Sequence, residues 1–159
     1  MAAADIVATP VVADGRVVDV RLETGGKVLS LAGRAGTAAE ERLGAARVAD
    51  GGVPVFLGAG LGVAVAACRR AGLPVVVADR DTVVSDATGV RAACAADPGL
   101  LWADDADPAE AVSRIRAFAA AKAPGEPLYP VLHPVQRRLD PAWYAALAAL
   151  LAPPAAVAA

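Results

Sequence analysis

Residues 53–79, VPVFLGAGLGVAVAACRRAGLPVVVAD, constrain the fold more than any other stretch of the chain. An apolar run over 53–57 ends on Gly58-Ala59-Gly60-Leu61-Gly62, and a small-residue segment then leads to Cys68, Arg69 and Arg70. A second apolar run, 73–78, stops on Asp79. Neither run alternates with polar residues, so each must be covered on both faces, as strands of a parallel sheet flanked by helices are. The expected order is strand, tight turn, helix, strand, acid.

The glycines have a mechanical reading. Gly58 suits a sharp strand-to-helix turn, Gly60 clears space where a ligand would approach the backbone, and Gly62 lets the helix start lie close to the sheet. The amide end of that helix would offer donors and a positive field to an anion. Asp79 falls about twenty residues after Gly58, where an acid could accept the hydroxyls of a ribose. A nucleoside-type ligand is one expectation. The alternative is that the glycines only close a turn and Asp79 only caps a helix or faces water.

A dinucleotide fingerprint would place its third glycine at position 63, which is Val63. The G-x-G-x-G that stands here instead resembles the first motif of the class I S-adenosylmethionine-dependent methyltransferases. That resemblance implies S-adenosylmethionine as cofactor. The backbone of Gly58, Ala59, Gly60 and Gly62 would lie along it, Asp79 would hold the ribose, and Asp104 or Asp105 would approach the adenine amino group. His133, the only histidine, is the candidate general base, because imidazole titrates near neutrality.

Composition narrows the setting. A chain of 159 residues buries one core, and 57% hydrophobic against 4% aromatic content means a core built mainly of Ala, Val and Leu. Charged residues break every apolar run before it reaches the length of a membrane span, and no basic leader precedes an apolar segment, so a cytoplasmic location is expected. Net charge is -2 with acids and bases intermixed, which argues against a nucleic-acid partner. Cys68 and Cys94 lie in alanine-rich helical stretches and read as free thiols, with no metal cluster.

Along the chain, residues 1–15 read as an irregular lead-in interrupted by Pro10. Residues 16–22 and 27–31 flank a Gly25-Gly26 turn and predict a β hairpin with one wet face. Thr37 and Glu40 have the spacing of a capping box for a helix over 38–48, and Glu40, Glu41 and Arg42 read as its charged surface turn. A helix starting at Ser85 or Thr88 and ending at Ala96 precedes a short strand at 100–103. Asp107 and Pro108 open a helix over 109–121, buried along Val112, Ile115, Ala119 and either Ala111 or Phe118. Residues 128–132 form a fourth strand, placed at a sheet edge by Pro130. A last helix, 141–151, is anchored by Trp143, Leu147 and Leu150, and residues 153–159 read as a loose tail or the start of a linker.

The fold class is therefore α/β: a Rossmann-like, mostly parallel sheet of about four strands in the order 3-2-1-4, preceded by a β hairpin, in one domain over 16–152. Gly58, Asp79, Asp104 and His133 would then share the carboxyl edge. The chain departs from the methyltransferase pattern after the fourth strand. That family places an acidic or amide residue, prolines and an aromatic there, whereas this chain has His133-Pro134-Val135-Gln136. A fifth strand and the antiparallel strands of that family have no counterpart.

A second resemblance spans 16–152. The N-terminal hairpin, SLAGRAGTAAEERL, VFLGAGLG, VVVAD and the ending LYPVLHPVQRRLDPAWYAAL are together similar to the N-terminal domain of bacterial motility-associated-factor and spore-maturation-type glycosyltransferase-like proteins. The resemblance implies a Rossmann-like accessory module whose partner is a downstream glycosyltransferase domain or an acceptor protein. It implies no sugar transfer by the module itself.

Overall fold

The computed structural model describes residues 5–152, which form two sheets and six α-helices. The first sheet is antiparallel, built from β1 (Val7–Ala13), β2 (Arg16–Thr24) and β3 (Lys27–Ser30) in that spatial order. After α1 (Thr37–Asp50) the chain enters the second sheet through β4 (Val53–Leu57), α2 (Val63–Arg70) and β5 (Val75–Ala78). It continues with α3 (Thr82–Thr88), α4 (Val90–Ala96), β6 (Leu100–Ala103), α5 (Pro108–Lys122) and β7 (Leu128–Leu132). A 3-10 turn, Gln136–Arg138, leads to α6 (Pro141–Leu151).

The second sheet is parallel throughout, in the order β6-β5-β4-β7. Its uniformly apolar central strands follow from cover on both faces. Val53, Val55, Leu57, Val76 and Ala78 pack against Ile115, Trp143 and Leu147 of α5 and α6. Phe56, Val75 and Val77 pack on the opposite face against Ala64, Val65, Cys68 and Cys94 of α2 and α4. β7 is an edge strand, which accommodates Pro130 and its missing N–H. No helix among the described residues is long and apolar enough to cross a membrane.

The antiparallel sheet alternates as its period requires. Val20 and Leu22 are buried with Leu31, Leu61 and Val84, while Arg21 and Glu23 between and beside them face solvent. This third cluster fastens the small sheet over α3 and the start of α2.

Four expectations need correction. Residues 7–13 are not irregular, because they form β1, with Pro10 tolerated on an outer strand. β1 turns into β2 through Asp14 and Gly15, both at positive φ (52° and 73°), as a two-residue hairpin loop demands. Thr37 does not cap α1: Gly36 holds that position without a side-chain hydrogen bond, and Glu40 bonds elsewhere. The helix expected up to Ala96 is two short helices broken at Gly89, the first capped by Asp81. In α6, Leu150 is exposed and Leu151 takes the buried position, alongside Trp143, Tyr144 and Leu147. The tail assigned to 153–159 and the first four residues of the lead-in lie outside the described residues.

Candidate functional site

The carboxyl edge of the parallel sheet brings three of the four expected segments together. The Gly58 amide donates to the Ala78 carbonyl at 3.0 Å, joining the glycine turn to the end of β5, and the His133 amide donates to the Leu57 carbonyl at 3.0 Å. Asp79 therefore sits beside the turn, with His133 on its other flank. Asp104 follows β6, whose Ala103 carbonyl accepts from the Asp79 amide at 3.1 Å, but its side chain makes no hydrogen bond to the other three. It is exposed, and its carboxylate faces Arg114 Nη1 at 4.0 Å.

Asp79 is 1% exposed and its carboxylate is fully engaged from within the fold. Oδ1 accepts from the Asp81 amide at 2.9 Å and from the Tyr144 hydroxyl at 3.0 Å. Oδ2 accepts from the Ser85 hydroxyl at 2.9 Å and from Gln136 Nε2 at 3.0 Å. A carboxylate has about four lone-pair sites, so these donors saturate it. Burial nevertheless pushes the Asp79 carboxyl up to about 6, with the Asp81 amide, Ser85 and Tyr144 opposing that rise and the Asp81 charge adding to it. The same burial, together with the adjoining Asp79 charge, raises the Tyr144 phenol.

The glycine turn is equally occupied. The Gly60 amide donates to Gln136 Oε1 at 2.6 Å, so the Gln136 carboxamide bridges the turn and Asp79. The Leu61 and Val63 amides donate to the two oxygens of Glu40, at 2.9 and 3.2 Å, and the Gly62 amide donates to the Ala59 carbonyl at 3.0 Å. Glu40 thus fills the position at the N-terminus of α2 where an anionic ligand would find its donors. Burial raises the Glu40 carboxyl, and the turn amides pull against that rise.

Glu40 reaches the turn because α1 lies close on α2. A Cβ at Gly44, one helical turn after Glu40, would stand 2.9 Å from Ala67 Cβ and 3.2 Å from Ala64 Cα, so only glycine permits this approach. Residues four apart share a helix face, and the contact that buries Gly44 aims Glu40 at the turn. Gly60 is required from the other side. At φ +57°, its Cβ would meet Glu40 Oε2 and His133 Nε2 at 2.8 Å each.

His133 is held in one protonation state. Its Nδ1 accepts from the Val135 and Gln136 amides at 3.2 Å each, leaving the ring proton on Nε2, and burial pushes its pKa down to about 4. The one nitrogen able to accept a substrate proton is committed to the backbone. In this arrangement the His133 ring offers its acceptor nitrogen to the backbone, and general-base work would require those two hydrogen bonds to be released.

Gly58, Ala59, Gly60, Gly62, Asp79 and His133 are therefore gathered, but the crevice between them is filled by Glu40, Gln136 and His133. Sequence reading missed Glu40, Ser85, Gln136 and Tyr144 as members of this web. The Glu40-to-Gly44 spacing on one helix face was the available signal for the first. Ser85 lies six residues from Asp79, whereas Gln136 and Tyr144 join across 57 and 65 residues, which no local pattern encodes.

Against known proteins, no family model matches the chain and no curated protein shows significant similarity to it.

Proposed function

We propose that this chain is a non-catalytic, Rossmann-like accessory domain in which a nucleoside-type crevice is closed by the protein's own side chains. The observation that carries this reading is the saturation of Asp79 by four internal donors, together with the commitment of the Gly60, Leu61 and Val63 amides to Gln136 and Glu40. A ribose at Asp79 would have to displace Ser85, Tyr144 or Gln136, each loss leaving a buried polar group unpaired. An anion at α2 would compete with a carboxylate that is already part of the chain. In this reading the domain serves a bacterial, cytoplasmic glycosyltransferase-like protein through its surfaces, meeting either a downstream catalytic domain or an acceptor protein.

The second reading is an S-adenosylmethionine-dependent methyltransferase with its cofactor at Gly58–Gly62 and Asp79. It draws on the adjacency of β4 and β5 and on the shared rim of turn and acid. It requires Glu40 and Gln136 to swing out together. Calorimetry against S-adenosylmethionine and S-adenosylhomocysteine separates the two. The accessory reading predicts no heat at millimolar ligand. Micromolar affinity, about -8 kcal/mol, that vanishes in Asp79→Ala would establish the enzyme reading instead.

A further inference from the structure

The Gly58, Gly60, Leu61, Gly62 and Val63 amides are engaged within the fold, yet an open cleft of about 670 Å³ lies on the same side of the molecule, between the small sheet and the carboxyl edge. That volume falls within the range of small-molecule sites. Four separated segments build it, the first being Asp5 and Ile6 ahead of β1. The β2–β3 hairpin brings Thr24, Lys27 and Leu29, the β5–α3 junction brings Arg80, Asp81 and Thr82, and the approach to α6 brings Arg138, Leu139 and Asp140.

The charges in this cleft are unequally engaged. Arg80 is fixed by a two-point contact with Asp140, Nε to Oδ2 at 2.5 Å and Nη2 to Oδ1 at 2.9 Å, and its guanidinium lies over the Trp143 ring at 5.6 Å. Asp81 Oδ1 accepts from the Val83 amide as the cap of α3. Lys27 and Arg138 have no carboxylate within ion-pair distance among the described residues. The cleft lining thus carries two uncommitted cations on different segments together with Thr24, Thr82, Leu29 and Leu139, and uncommitted cations are the groups that hold oxyanions. Asp5 and Asp81 belong to the same lining, and carboxylates there favour an occupant that also carries hydrogen-bond donors.

We infer that this cleft is a binding site for a small organic oxyanion, a phosphomonoester or carboxylate whose body carries an amine or hydroxyl, with Lys27 and Arg138 holding the anionic group. The inference goes beyond the closed-crevice reading and needs nothing from Gly60 or Asp79.

The test is an NMR titration of the ¹⁵N-labelled full chain with three probes: phosphoethanolamine, inorganic phosphate and acetate. Saturable shifts confined to residues 5–6, 24–29, 80–83 and 138–140 are expected. Phosphoethanolamine should bind more tightly than inorganic phosphate, and acetate reports whether a carboxylate suffices. Lys27→Gln and Arg138→Gln should each weaken binding about tenfold, the scale of one charge-assisted hydrogen bond. Arg91→Gln, on α4 outside the cleft, should change nothing. Both cleft variants alter exposed side chains and are expected to fold normally. Absence of shifts at tens of millimolar probe, shifts elsewhere, or equal weakening by Arg91→Gln would overturn the inference. Binding of S-adenosylmethionine at Asp79 would overturn the closed-crevice reading and leave this one standing.

Discussion

Two rims lie along one side of the molecule, and they treat polar groups in opposite ways. At the glycine turn, Asp79 and Glu40 are buried and bonded to donors from α2, α3, α6 and the Gln136 turn. In the cleft beside it, Lys27 and Arg138 stand exposed without a carboxylate partner among the described residues. The difference teaches that the backbone geometry of a ligand turn can be kept while its binding capacity is turned inward. The turn is then a structural joint, and sites for small molecules must be sought where charges remain uncommitted.

The comparison breaks most completely if the element common to both rims is removed. Trp143 donates from Nε1 to the Asp105 carbonyl at 3.0 Å, lies beneath Arg80, and fixes the helix that carries Tyr144. Trp143→Ala should destabilise by about 3–5 kcal/mol in urea unfolding. An unchanged midpoint would make the ring an interface residue instead of a core one.

Smaller changes touch only the closed rim. Glu40→Ala strands the Leu61 and Val63 amides and should cost about 2–4 kcal/mol, where a surface glutamate would cost under about 0.5 kcal/mol. Tyr144→Phe removes one of four donors to Asp79 and should cost about 1–2 kcal/mol.

Proton linkage sharpens the contrast further. The folded Asp79 pKa is raised to about 6, so its contribution is complete below about pH 4 and is lost as pH rises through 6. Glu40 acts with the same sign. His133, depressed to about 4, contributes fully above about pH 6.5 and loses that contribution as pH falls through 4. Between pH 4 and 6 the Asp79 and His133 slopes oppose each other. His133→Asn keeps an acceptor for the Val135 and Gln136 amides and removes one slope. Asp79 alone should then lower stability with rising pH by up to about 1.4 kcal/mol per unit across that window, with Glu40 adding to the fall, measured by unfolding at a series of pH values.

The open rim should barely register in such experiments. Lys27→Gln and Arg138→Gln should each shift stability by less than about 0.5 kcal/mol. A larger loss would mean these cations are structural and that the contrast between the rims is false.

Legibility from sequence followed the range of the interactions. The runs at 53–57 and 73–78 were readable as covered strands because burial on both faces leaves a local signature, and Asp107-Pro108 marked the start of α5 because capping is local. β1 is hidden because Pro10 masks the strand pattern, although Asp14-Gly15 carries the signal of a two-residue hairpin loop. Glu40 was misread for the opposite reason. Its spacing from Thr37 satisfies a local capping pattern, but the close approach at Gly44 offered it two amides of another element, and the tertiary contact won. Gln136 and Tyr144 join Asp79 across 57 and 65 residues, beyond any periodicity. Asp104 follows β6 as expected, and its carboxylate lies 4.0 Å from Arg114 Nη1.

The most direct test follows the amides of Gly60, Leu61 and Val63 by hydrogen exchange, with and without millimolar S-adenosylmethionine. Closure by Glu40 and Gln136 predicts slow exchange in the free protein, unaltered by the ligand and accelerated in Glu40→Ala for Leu61 and Val63. Rapid exchange in the free protein that becomes protected when the ligand is added would show these donors to be open for an outside partner, contradicting closure.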